Sequence, residues 1–181
     1  MTSELILRLK KLQAAITSEG LGASAVVLRT PQTVLDTSQH LLSDDYAAKY
    51  EAVILEPIIR NVTKDLFASA FYNNAVQEAF KAVEQCVRDK SNTMDSSGTV
   101  LMRSVFNKSN PKLAWSARKT ISERDEHEGY QHIFAGAMMG VRNPTAHEFD
   151  WIDNAETALD LIVFAQHLVS KALKATSIEP E

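Results

Sequence analysis

Between Asn73 and Arg88 the apolar residues Val76, Ala79, Phe80, Val83, Cys86 and Val87 recur at spacings of three and four. That is the period of one helix face and not of a strand. The same spacing returns along the chain. Leu5, Ile6, Leu9, Leu12 and Ile16 form one stripe, and Ile58, Val62, Leu66 and Phe67 another. Tyr130, Ile133, Phe134, Ala137 and Val141 form a third. Leu159, Ile162, Val163, Ala165, Val169 and Leu173 make the last segment apolar over more than one face, so it is central or lies between two copies. No convincing sheet emerges beside these stripes, and the expected fold is an all-α bundle with antiparallel neighbours.

Local signals divide the bundle. Gly20 and Gly22 end an N-terminal helical arm, and 23–42 has no clear period apart from a possible short strand at Ala25–Leu28. Residues 1–43 therefore read as helix and linker, and 44–181 as the main domain. Ser43-Asp44-Asp45 opens a helix to about Glu56, and Pro57 can open the next. Asn73 or Asn74 is expected to cap the helix that carries the Val76–Val87 stripe, and 91–98 reads as loop. Val100–Phe106 allows a short helix before a loop rich in Asn, Ser and Pro. Thr120 with Glu123, and Ser122 with Asp125, are two overlapping capping signals for a helix reaching Arg142. Gly129, Gly136 and Gly140 line one of its faces, which predicts a second backbone close by, in this chain or in another copy. Pro144 is expected to end this helix near Asn143. Asp150 or Asp153 should cap the last one.

The one cysteine, Cys86, rules out an internal disulfide, reads as inert core, and suits a reducing cytoplasm. The nearly apolar stretches are far shorter than the ~20 residues of a membrane span. The net charge of -4 argues against a general nucleic-acid coat. The charge is uneven, however. Arg103, Lys108, Lys112, Arg118 and Lys119 lie in a segment with no acidic residue, leaving 14 basic and 23 acidic residues elsewhere. Such a segment permits a focused anion site or is simply a solvated loop. Trp115 and Phe106 within it either stack on bases or pin the loop to the core.

The segment Arg142-Asn143-Pro144-Thr145-Ala146-His147 carries the chemistry. Arg142 offers a permanently charged planar fork suited to phosphate oxygens. His147 can give or take a proton near neutral pH, help worth roughly 10²–10⁴ in rate. Five helical residues turn ~500°, so the two would share no face of an unbroken helix, and the proline break is expected to bring them together. The bland alternative is that Arg142 meets the last helical carbonyls while His147 packs in a corner. His127, Glu128 and His132 lack the spacing that would put two imidazoles on one helical face, so no metal and no other cofactor is expected.

An Arg-Asn pair ending a long helix, then His, then a final hydrophobic helix, resembles the HEPN superfamily of all-α domains. Ser122–Gly129, Phe134–Val141, Arg142–Glu148, Ala75–Arg88 and Gly98–Met102 resemble its Ymh-type branch of phage-linked and bacterial proteins, over about residues 50–173. The resemblance implies a HEPN-like bundle with metal-independent endoribonuclease activity, in which the RNA 2′-hydroxyl attacks the adjacent phosphate. It implies catalytic Arg142 and His147, with Asn143 positioning one of them, at a homodimer cleft that supplies two histidines. A toxin or antiphage role would follow, with an antitoxin or regulatory partner. Glu84 on the neighbouring helix either orients this site or is a solvated face residue. The alternative function is a non-catalytic helical pairing or regulatory module in which Arg142 and His147 are structural.

Overall fold

The computed structural model describes residues 45–178. The N-terminal arm, the linker with its candidate strand, and Ser43-Asp44 at the expected helix start lie outside the described residues. Helix α1 runs over 45–53, and Glu56 caps α2 (Pro57–Ala68), its carboxylate accepting from the Ile58 amide. Then come α3 (Tyr72–Ser91), α4 (Gly98–Val105), α5 (Ile121–Ala137), a π-helical turn (Met138–Arg142), α6 (Asn143–His147) and α7 (Ala155–Lys174). The domain is all-α. Its small departure is a two-residue antiparallel pairing of β1 (Leu113–Ala114) with β2 (Thr176–Ser177), which ties the loop after α4 to the end of α7. Strands this short leave no alternation to read in a sequence.

Helices α3 and α7 pack against each other most extensively, and α2 lies against both. The α3 stripe is buried as Val76, Ala79, Phe80, Val83 and Val87. From α7 come Leu159, Ile162, Ala165, Leu168, Val169 and Ala172, so this helix is central to its own chain. Cys86 is only half-buried, one step off the stripe, and burial pushes its thiol pKa up. Phe134 reaches the core from α5, while Ile133 is exposed. Of the two capping signals, Thr120–Glu123 forms the full reciprocal box: Thr120 Oγ1 accepts from the Glu123 amide at 3.2 Å, and Glu123 accepts from the Thr120 amide at 2.9 Å. Asn154 caps α7, in place of either Asp150 or Asp153.

The aromatic residues of the basic segment pin the loop to the core. Phe106 is fully buried and stacks on Trp115 at 4.8 Å, and the Trp115 indole donates to the Lys171 carbonyl at 2.7 Å. Neither ring is placed to receive a base. Below them His127 is buried, and its Nε2–H donates to the Phe106 carbonyl at 3.1 Å. Burial is the main cause that lowers its pKa from the ordinary 6.5.

The corner between α1 and α2 is held from α7. Gln166 Oε1 accepts from the Leu55 and Glu56 amides at 2.7 and 2.8 Å, and its Nε2 donates to the Val53 carbonyl at 3.0 Å. Three backbone groups left over by the helix break thus find one side chain. Gln166→Ala is expected to lower stability by about 1–2 kcal/mol in urea unfolding.

A second expectation concerns pH. The native state resists protonating His127, whereas the unfolded chain takes the proton near the ordinary value of about 6.5. Stability from this site is present above that pH and is lost as pH falls below it. Melting curves from pH 8 to 5 should show this decline, and His127→Gln should flatten it.

Candidate functional site

Pro144 does not end the helix. Asn143 keeps right-handed helical angles, φ -68° and ψ -48°, and the chain leaves the helix only at Glu148, with φ -114° and ψ 125°. The reason lies in the turn before the proline. Over Met138–Arg142 the ladder widens, and the Asn143 amide donates to Met138 O, five residues back. A ring that would collide with an α-turn is tolerated beside this wider one, and it sits in the first turn of α6, where its missing amide matters least. The expected break between Arg142 and His147 is therefore absent. On a continuous helix the two side chains leave about 140° apart.

Side chains take up the carbonyls on both sides of α6. Thr145 Oγ1 donates toward the Val141 and Arg142 carbonyls, each at 3.0 Å. Asn73 arrives from α3, and its Nδ2 donates to Thr145 O and Glu148 O, both at 3.0 Å. Asn73 is thus no N-cap. The N-cap of α3 is Phe71, and Asn73, in the first turn, turns across to clamp the motif helix. This use depends on a residue 72 positions away, which local reading could not supply.

Glu84 projects from the same face of α3 and is only 5% exposed, which removes the reading as a solvated face residue. One carboxylate oxygen accepts from Arg88 Nη2 at 2.6 Å. The other stands 3.8 Å from Arg142 Nε, beyond hydrogen-bond distance, and neither of these two buried atoms has another partner. Arg142 Nη1 reaches Asn143 Oδ1 at 3.5 Å. The arrangement sets two guanidiniums around one carboxylate, a formal +1 in a half-buried place, where charge is poorly screened. Arg142 is the loosely held member. His147 is exposed, with no hydrogen bond or ion pair to its ring among the described residues.

Three of the five basic residues of the loop segment have partners of their own. Lys108 pairs with Glu128 at 2.7 Å, Lys112 donates to Thr93 Oγ1 at 2.9 Å, and Arg118 folds back on the Lys108 carbonyl at 2.7 Å. Arg103 and Lys119 are exposed. Gly129, Gly136 and Gly140 have no atom within 4 Å of where a Cβ would stand, so the close backbone does not come from the described part of this chain. They lie on an open face with Ile133 and Met139.

Residues 54–172 match the family model described as "Protein of unknown function (Hypoth_ymh)", and the chain belongs to that family. No curated protein matches the chain. No solved structure matches it either.

Asn73→Ala would leave the Thr145 and Glu148 carbonyls without their donor. The expected cost is about 1–3 kcal/mol in denaturant unfolding. Glu84→Leu should cost more, because it leaves the Arg88 and Arg142 guanidiniums against a partly buried apolar side chain, about 3–5 kcal/mol by the same measurement.

Proposed function

We propose that this member of the family is a metal-independent endoribonuclease of HEPN type, with Arg142 and His147 as its catalytic residues. The observation that carries the reading is the Arg142 guanidinium. It is half-buried, shares its carboxylate with Arg88, and leaves its Nε 3.8 Å from that carboxylate. A cation so weakly neutralised, in a place of reduced screening, suits an anion that arrives from outside. The π turn that holds it is a type of irregularity frequent at functional sites.

Chemically the step is transesterification. The 2′-oxygen of a ribose loses its proton to a base and attacks the adjacent phosphorus. The P–O5′ bond breaks, and the leaving 5′-oxygen takes a proton from an acid. Products are a 2′,3′-cyclic phosphate and a 5′-hydroxyl. Arg142 would stabilise the extra negative charge on the pentacoordinate phosphorus. His147 would act as base or acid. One imidazole cannot conveniently do both, and the ~140° between the two side chains on one helix points the same way. Two copies of the chain facing one another would supply two imidazoles and two guanidiniums to one cleft. The open glycine face of α5, with exposed Ile133 and Met139, is a surface that such a pairing could use. In a cell this activity fits a toxin or antiphage effector held in check by an antitoxin or regulatory protein, in the cytoplasm. Among the described residues no helix is long and apolar enough to cross a membrane.

One observation favours a second reading. The Glu84–Arg142 approach joins α3 to the π turn, so Arg142 also serves as a tie between helices. In that reading the domain is a non-catalytic pairing or regulatory module.

Single-stranded RNA incubated with the protein and a chelator separates the two. Cleavage should persist with the chelator, fall by about 10²–10⁴ in His147→Ala, and leave 2′,3′-cyclic ends. Intact RNA, together with a large stability loss in Arg142→Ala, would support the module instead.

A further inference from the structure

The two guanidiniums around Glu84 are held very differently. Arg88 is fixed on three sides. Its Nη2 donates to Glu84 Oε1 at 2.6 Å and to the Ser96 carbonyl at 3.3 Å, and its Nη1 donates to Gln85 Oε1 at 3.1 Å. Two of these partners lie three and four residues back on α3, so local helix geometry alone gives Arg88 its carboxylate. Arg142 arrives from another element and finds that carboxylate engaged. Its Nε stops 3.8 Å from Glu84 Oε2, and its hydrogen bond from Nη1 to Asn143 Oδ1 is long, at 3.5 Å. Among the described residues, no second carboxylate pairs with either arginine.

The gap matters because both of its edges are buried. Glu84 Oε2 and Arg142 Nε face each other without partners. Buried donors and acceptors rarely stay unmade, since leaving them so is costly. These two would close on one another if nothing held the carboxylate back. The Glu84 side chain is 7% exposed against 20% for Arg88 and 30% for Arg142. The carboxylate is thus the deepest of the three groups, and Arg142 is the cation nearest to solvent.

We infer that Arg88 is a positioning residue for the ribonuclease site: by holding Glu84 through Oε1 it keeps the carboxylate from capturing Arg142, and so leaves that guanidinium available to an RNA phosphate. The inference rests on the ribonuclease reading and deepens it. Arg88 acts through Glu84 and not on the RNA. Counting charges makes the role specific. With both arginines the cluster carries a formal +1, presented by Arg142. With Arg88 made neutral the sum is zero, and Glu84 takes Arg142 as its sole partner. A phosphate would then have to displace a carboxylate in a half-buried place, where ion pairs are poorly screened. Neutralising Glu84 as well returns the sum to +1. A positioning role therefore predicts loss with one substitution and recovery with a second. A merely structural Arg88 predicts further loss, since a second change in a packed contact adds to the damage of the first.

The test compares the full-length wild type with Arg88→Met, Arg88→Lys and the double variant Arg88→Met/Glu84→Gln. Cleavage of single-stranded RNA in chelator should fall roughly tenfold in Arg88→Met, less than the ~10²–10³ lost when a stabilising donor is removed outright. It should return to near the wild-type rate in Arg88→Lys and in the double variant. The NMR signal of the Arg142 Nε–H group, assigned by its loss in Arg142→Lys, reads the contact without RNA. In Arg88→Met its proton should move downfield and exchange with solvent roughly tenfold more slowly, the scale of one hydrogen bond to a charged group. Both changes should revert in the double variant. If Arg88→Met does not fold, Arg88→Gln takes its place, removing the charge and keeping a donor. An Arg142 signal that stays unchanged when Arg88 loses its charge overturns the inference. So does wild-type cleavage that survives the loss of that charge, or that the double variant fails to recover. A wild type that cuts no RNA removes the ribonuclease reading instead, and the Arg142 signal alone then decides whether Arg88 holds Glu84 away.

Discussion

A carboxylate at a helix–helix contact must have cations, and Glu84 dictates which ones. Removing a charge from water costs several kcal/mol unless partners replace the water. Arg88, one turn on along α3, supplies the close partner, and Arg142 stands on the far side from another segment. The position of the π turn against α3 therefore has an electrostatic component as well as an apolar one. Thr145 takes up the Val141 and Arg142 carbonyls just before α6, and Asn73 takes up the Thr145 and Glu148 carbonyls at its end, so the backbone after Arg142 follows one path. The candidate chemistry depends on this contact because the guanidinium's freedom is set by how much of the carboxylate Arg88 already occupies.

The larger features of the fold were readable because they rest on local periodicity. The α3 stripe, the start of α2 at Pro57 and the Thr120–Glu123 box each involve residues within a few positions of one another. Glu84 was not readable in the same way. Four residues before Arg88, it has the spacing of an ordinary solvated pair, and its burial comes from helices that follow much later in the chain. Asn73 has the composition of a cap, but the helix has already begun at Tyr72, and its side-chain nitrogen goes instead to a backbone 72 residues away. Ile133 fits the spacing of a core face, yet the α5 face it occupies is left open.

Pro144 is the instructive failure. The rule that a proline ends a helix assumes an α-turn before it. Here the ladder is already widened over Met138–Arg142, so the ring meets no tight turn and the helix runs to His147. The consequence for the candidate site is larger than the error in a boundary. A broken helix would let one chain bring Arg142 and His147 together, whereas a continuous one separates them around its axis. The functional reading, which already called for two copies of the chain, thereby leans on that pair the more.

The widened turn also acts as a spacer in the genetic sense. It holds one residue more than a regular turn needs, so losing a single codon within Met138–Arg142 would restore ordinary α-geometry. Because the wide turn spreads its extra residue over about the same rotation, the segments before and after the deletion would keep their bearings around the axis. What would be lost is the room beside the proline: the ring of Pro144 would then follow an ordinary α-turn, the arrangement it does not tolerate. The extra residue and the proline are thus a matched pair, and neither can change without the other.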